Sequence, residues 1–228
     1  MTIMFVLDLS ESMLYCIDDV REAILKLYMD AYHHRDKVGI VALKEMEALV
    51  VQHPTTNLKL VANKMLSLRI SGFTPLAAGM IKALEILEET KKRDPSAIPV
   101  MIIITDGEAN VPLRKNPQTG KIREFNALDA ALFKYEEESI EDVITVSEMI
   151  SRKGIYTVVI DTNPALSGSL TTKAIASITK GMLFEVGRQL RKKDSARRIS
   201  EIILQTQRII FSQVQNSKTS KFGRIRNA

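Results

Sequence analysis

Five side chains in this sequence offer oxygen donors at telling positions: Asp8, Ser10, Ser12, Thr74 and Asp106. The first three alternate along "FVLDLSESM" (residues 5–13), where an apolar run stops abruptly at Asp8. Thr74 stands before a proline in "SGFTPLAAG" (71–79), and Asp106 follows the most strand-like run of the chain, "IPVMIIIT" (98–105). Two carboxylates and three hydroxyls, without nitrogen or sulfur, are a hard donor set that suits Mg²⁺, with Mn²⁺ or Ca²⁺ as alternatives, rather than zinc or copper. Few carboxylates with retained waters is the manner of Mg²⁺, which dehydrates reluctantly. Two carboxylates held about 4 Å apart repel by roughly 4 kcal/mol at an effective dielectric near 20. A divalent cation between them turns that cost into a binding site.

Such a set is useful only if the fold brings its members together. The run "IMFVL" (3–7) lacks a period of two, as expected of a strand covered on both faces. Leu14, Ile17, Val20, Ile24, Leu27 and Ala31 recur at helical spacing. "KVGIVAL" (37–43) and "EALVVQ" (47–52) read as strands of a tight hairpin, and 57–68 and 76–90 as helices, the second with Pro75 at its first turn. After the 98–105 strand come a helix at 139–153 closed by Gly154, a strand at 155–161, a helix at 170–180, a strand at 182–186 and a last amphipathic helix through Ile199, Ile203 and Ile210. Residues 111–138 carry two prolines and mixed charge in "VPLRKNPQTGKIREF" and read as a long surface excursion from the Asp106 end of its strand.

Strands separated by helices pair in parallel through right-handed crossovers. The expected fold is a doubly wound α/β sheet of six mostly parallel strands, one antiparallel strand at its edge, and helices on both faces. Ligands of such sheets bind at the carboxyl ends of the strands. The first and fourth strands are neighbours in this architecture, so Asp8 and Asp106 meet at one edge.

With the elements in place, the motifs resemble a known family. D-x-S-x-S after strand one, Thr in a G-x-T-P-L-like loop and "TDG" after strand four look like the metal-ion-dependent adhesion site of von Willebrand factor A domains, over about residues 3–187. Within that family, "RDKVGIVAL" (35–43), "GFTPLAAGM" (72–80) and "ITDGEANVPL" (104–113) are most similar to the A domain of magnesium-chelatase D-type and cobalt-chelatase subunits. The chain departs from the pattern with Glu11 and Phe73, where glycine is common. The resemblance implies hydroxyl ligands from Ser10, Ser12 and Thr74, with Asp8 and Asp106 binding the metal directly or through water. It also implies one coordination position left for an Asp or Glu of a partner protein, here an AAA+ ATPase of chelatase type. A second implied reading is a working part of an ATP-dependent chelatase, which inserts metal into a tetrapyrrole, with the ATPase portion upstream of Met1 or on another chain. The first strand starts almost at Met1, which leaves open a natural polypeptide that extends further upstream.

Other chemistries find less support. Ser10 or Ser12 alone would serve equally as a helix N-cap. No G-x-x-x-x-G-K-[ST] or G-x-G-x-x-G motif occurs, and no Ser/His/Asp order can be defended, so no catalysis is expected of the chain alone. His33, His34 and His53 have no second ligand at metal spacing. The lone Cys16 excludes an internal disulfide and a cysteine-built zinc site. Absence of a signal sequence and of any run near the ~20 apolar residues of a membrane span leads to a cytoplasmic expectation.

Charge divides the chain into parts. From Arg188 onward there are 11 Lys/Arg and 2 Asp/Glu, a balance of +9, against 21 and 25, a balance of −4, before it. We therefore expect a domain at 1–187, a basic helix packed on it at 188–214 and a basic tail at 215–228. "RQLRKKDSARR" could hold nucleic-acid phosphates, but no aromatic residues interleave with it, and a solvated or partner-docking face is the better reading.

Overall fold

In a computed structural model of the chain, residues 1–34, 36–70, 72–163, 168–186, 197, 199–206, 208–210 and 212 are described. The strands are β1 (Thr2–Asp8), β2 (Lys37–Lys44), β3 (Glu47–Thr55), β4 (Pro99–Thr105), β5 (Tyr156–Asp161) and β6 (Met182–Glu185). The helices are α1 (Ile17–His34), α2 (Leu58–Leu66), α3 (Leu76–Arg93), α4 (Ala127–Ala131), α5 (Glu136–Arg152) and α6 (Leu170–Thr179). The sheet order is β3-β2-β1-β4-β5-β6. Every pair is parallel except β2–β3, whose two-residue turn places Glu45 at φ 56°. This is the expected doubly wound sheet, with its antiparallel strand at the edge.

The central strands are apolar throughout because both of their faces are covered. Ile3, Phe5 and Leu7 of β1 face a core shared with α1 and α2, while Met4 and Val6 face one shared with α3, α5 and α6. Ile199, Ile203 and Ile210, in helical residues 199–206 and 208–210, are buried in the first of these cores. The rest of the expected basic helix and tail lies outside the described residues. Pro54 falls in the edge strand β3, where a missing N–H is tolerated.

Three local expectations are corrected. Residues Glu11–Tyr15 form a 3₁₀ turn ahead of α1, so Leu14, counted in the apolar stripe of that helix, is 65% exposed. The apolar spacing carried across the turn, but the 3₁₀ winding rotates Leu14 off the buried face. Residues 111–138 are not wholly a surface excursion: Val111, Leu113 and Ala130 are buried, and Ala127–Ala131 are helical. The Asp142 carboxylate holds the segment down by accepting from the Leu113 N–H at 2.7 Å and from Arg123 at 2.5 Å. Finally, α5 starts at Glu136, three residues ahead of expectation, with Glu136, Glu137 and Glu138 in its first turn, where carboxylates favour the helix dipole.

Candidate metal centre

The parallel register sets Thr2–Leu7 of β1 beside Pro99–Ile104 of β4, so the two strands end level with each other. Asp8, the last residue of β1, is fully buried. Its Oδ1 accepts from the Ser10 N–H at 2.9 Å, and its Oδ2 from the Thr105 hydroxyl at 2.7 Å. The Thr105 Oγ1 in turn accepts from the Gly107 N–H at 3.0 Å, tying the turn after β4 to Asp8. Gly107 has φ 83°, and a Cβ there would stand 2.1 Å from Ser169 Oγ, so this turn requires glycine.

Asp106 is 3% exposed. Its Oδ1 accepts from the Glu108 N–H at 3.1 Å, and its carbonyl from Asn163 Nδ2 at 3.1 Å. Burial pushes the Asp8 carboxyl up to about 7, and the neighbouring Asp106 charge adds to the shift against the lowering bonds from Thr105 and Ser10. Glu108 is also raised, first by burial and then by Asp106 and Glu136.

Thr74 arrives from the loop before α3. Its N–H donates to Asn110 Oδ1 at 2.8 Å and its carbonyl accepts from the Asn110 N–H at 3.4 Å, which fixes this loop to the segment after Asp106. The Thr74 Oγ1 is buried with no hydrogen-bond partner among the described residues. Ser10 stands at the N-cap of the 3₁₀ turn, yet its side chain caps nothing; its Oγ lies 2.9 Å from Ser12 Oγ. The capping alternative for Ser10 is therefore not realised.

These residues fit a hard divalent cation on the molecule's own terms. A buried, charge-coupled pair of carboxylates and an orphaned buried hydroxyl each carry a cost that a cation would remove. Among the described residues no three His, Cys, Asp or Glu side chains are grouped to hold a metal, so a cation here depends on the hydroxyls and water. His53 is exposed on β3.

Sequence reasoning missed the supporting residues. Thr105, Asn110 and Asn163 orient the candidate ligands, and Asp161 orders the neighbouring loop. Asp161, at the end of β5, accepts from the Asn163 N–H at 2.8 Å, the Ser169 N–H at 2.7 Å and the Thr172 hydroxyl at 2.5 Å. A signal was available: Asp8, Asp106 and Asp161 all stand at or just past strand ends, and each accepts from the N–H two residues on.

This arrangement of sheet and turns has counterparts. Residues 3–108 match the family profile described as von Willebrand factor type A domain. The chain has a von Willebrand factor A domain. It is 27% identical over 175 residues to the magnesium-chelatase 67 kDa subunit of Heliobacterium mobile, covering 76% of this chain and 24% of that protein. An uncharacterized protein of Methanocaldococcus jannaschii, MJ0910, is 28% identical over 148 residues, 65% of this chain and 72% of that one. Among solved structures, the PilB minor pilin of Streptococcus sanguinis superposes with a TM-score of 0.70 at 13% identity, over 92% of this chain and 62% of that one. A von Willebrand factor type A structure from Catenulispora acidiphila gives 0.52 at 18% identity, over 90% and 42% of the two chains. The solved structures bear on the fold alone. Likeness to chelatase subunits places this A domain close to the chelatase D-type group, though the chain spans about a quarter of that subunit's length. Among the described residues no helix is long and apolar enough to cross a membrane.

Proposed function

We propose that this A domain is a Mg²⁺-dependent protein-interaction module. Asp8, Ser10, Ser12, Thr74 and Asp106 would hold the cation, which when bound supplies positive charge at the tip of the sheet for a partner's Asp or Glu. The observation that carries the reading is the buried, coupled Asp8–Asp106 pair beside the unpartnered Thr74 hydroxyl. Thr105 and the Ser10 N–H hold the Asp8 carboxylate, and Asn110 holds the Thr74 backbone. Asn163 anchors the Asp106 main chain. The ligands would thus be set before the cation arrives, which lowers the ordering cost of binding.

Similarity to chelatase subunits supports a protein partner, which we take to be an AAA+ ATPase in the cytoplasm that meets residues 1–187. A test is capture from native lysate by the wild type and by Asp106→Ala, each in Mg²⁺ and in EDTA. An ATPase retained by the wild type in Mg²⁺ alone is the expected result. Retention indifferent to both changes would refute the mechanism.

A second reading is favoured by one observation: five of the similar proteins are magnesium-chelatase subunits. The chain would then work inside an ATP-dependent chelatase whose Mg²⁺ cargo is substrate, separate from the ion of the adhesion site. Metal insertion into a porphyrin by a reconstituted mixture, lost when this chain is omitted, would establish it. Insertion unchanged by the omission would dismiss it.

A further inference from the structure

Beside the candidate metal centre, and sharing Asp106 with it, lies a groove of about 430 Å³ between the turn after β4, the start of α5 and the start of α6. That volume is in the range of sites that take a small ligand or one large side chain, ~300–1,000 Å³. Its walls combine two chemistries. Phe133, Ile140 and Leu170 supply apolar surface, while Asp106, Glu108 and Glu136 supply carboxylates, and among the described residues no Lys, Arg or His lines it.

The apolar rim is exposed. Phe133 is 53% and Leu170 84% exposed. Phe133 follows the end of α4 with φ 53°, a left-handed conformation that glycine adopts freely and an aromatic residue adopts at a cost of order 1 kcal/mol. The strain is kept where it sets a phenyl ring on the groove.

Glu136 gains from its place in the first turn of α5, but Glu108 has no such compensation. Neither is ion-paired among the described residues, and the nearby cations are engaged elsewhere, Lys134 with Asp129 at 2.6 Å and Arg123 with Asp142 at 2.5 Å. An apolar trough rimmed by unpaired carboxylates matches a side chain with an aliphatic stem and a cationic head. An arginine or lysine stem would cover Phe133, Ile140 and Leu170, with its charge between Glu108 and Glu136 and near the face of the Phe133 ring. Because the groove shares Asp106 with the metal centre, one short segment can reach both.

We infer that the groove is a cation-selective subsite for the partner: the docking segment carries, near the carboxylate that meets the metal, an arginine or lysine that lodges between Glu108 and Glu136. The inference rests on the adhesion-site reading for the carboxylate and on the groove itself for the cation, so the two can fail separately.

The test uses a random twelve-residue peptide library on phage, selected on the immobilised full chain in Mg²⁺, in EDTA, and on a Glu108→Gln/Glu136→Gln double variant. Both substitutions are on exposed side chains and keep their volume, and an unchanged melting temperature verifies the fold. In Mg²⁺ the wild type should enrich peptides pairing an Asp or Glu with a Lys or Arg at constant spacing. On the double variant the acidic preference should persist and the basic one vanish, with the best synthetic peptide bound about five- to tenfold more weakly, as two part-exposed charge pairs would give. Acidic or apolar peptides without a basic preference, or a basic preference unchanged on the double variant, would overturn the subsite and leave the metal reading standing. A basic preference that needs Glu108 and Glu136 but persists in EDTA with no acidic partner would support the subsite and sink the adhesion reading. No enrichment under any condition would overturn the subsite as a peptide site.

Discussion

Asp8 and Asp161 end strands that flank β4, both almost completely buried and both opening the same kind of turn, yet their surroundings differ. Asp161 accepts from three donors, two backbone N–H groups and a hydroxyl, and meets every demand of a buried carboxylate within the fold. Asp8 accepts from two, faces the charge of Asp106, and is driven by burial towards a neutral acid at about 7. Near it, the Thr74 hydroxyl is buried without a partner. One aspartate completes a structure; the other leaves a deficit of positive charge. On the proposed reading, the same residue type at equivalent strand ends is structural or cation-seeking according to the number of donors turned towards it and the charge of its neighbour.

Removing each carboxylate should separate the two most strongly. Asp161→Ala strands two part-buried N–H donors and leaves the Thr172 hydroxyl only the Ser169 carbonyl, and we expect about 2 kcal/mol of lost stability by urea unfolding, equal in Mg²⁺ and EDTA. A loss that Mg²⁺ reverses would mean that Asp161 belongs to the cation site after all. Asp8→Asn should do the opposite: no large loss in EDTA, and no stabilisation by Mg²⁺ where the wild type gains about 2–3 kcal/mol at a hundredfold excess over Kd.

The pH dependence follows from the raised carboxyl. An unfolded Asp titrates near 3.8 and folded Asp8 near 7, so between these values the folded state holds more protons. Stability of the metal-free wild type should therefore fall as pH rises from about 4 to 7, by about 3 kcal/mol, with a shallower slope in Asp8→Asn. Mg²⁺ competes with that proton, so its affinity should weaken below pH 7. Unfolding curves in EDTA across this range decide the matter, and a wild-type slope matching that of Asp8→Asn would remove Asp8 from the account.

The smallest effect concerns the orphaned hydroxyl. Thr74→Val keeps the shape and removes a group that bonds to nothing, so stability in EDTA should change by less than about 1 kcal/mol while Mg²⁺ affinity drops about tenfold. A variant with unaltered affinity would exclude Thr74 as a ligand.

The contrast between these aspartates was only half legible in the sequence. The succession of elements and a mostly parallel sheet followed from apolar runs alternating with helical spacing, because parallel strands covered on both faces leave that pattern in the chain, and the meeting of β1 with β4 followed from the doubly wound architecture. Asp8 and Asp106 stood out because each interrupts or ends such a run. The parts that decide the chemistry did not stand out. Thr105 and Asn110 act through long-range bonds, Thr105 to Asp8 and Asn110 to Thr74, that no spacing announces. Asp161 ends "IYTVVID" just as visibly as Asp8 ends its strand, but its three donors come from residues 163, 169 and 172, brought round by the loop after β5. The Phe133 side of the groove was hidden for another reason. Residues 111–138 look irregular by composition, and the buried Asp142 carboxylate, which holds Leu113 and Arg123, lies outside them in α5.

Calorimetric titration of Mg²⁺ into the full chain at pH 7.5, beside Asp8→Asn and Asp161→Asn, decides whether Asp8 holds a cation. One cation should bind each wild-type chain, with at least about a hundredfold weaker binding by Asp8→Asn and little change in affinity for folded Asp161→Asn. Equal binding by the wild type and Asp8→Asn, or no binding by the wild type at millimolar Mg²⁺, would contradict that role.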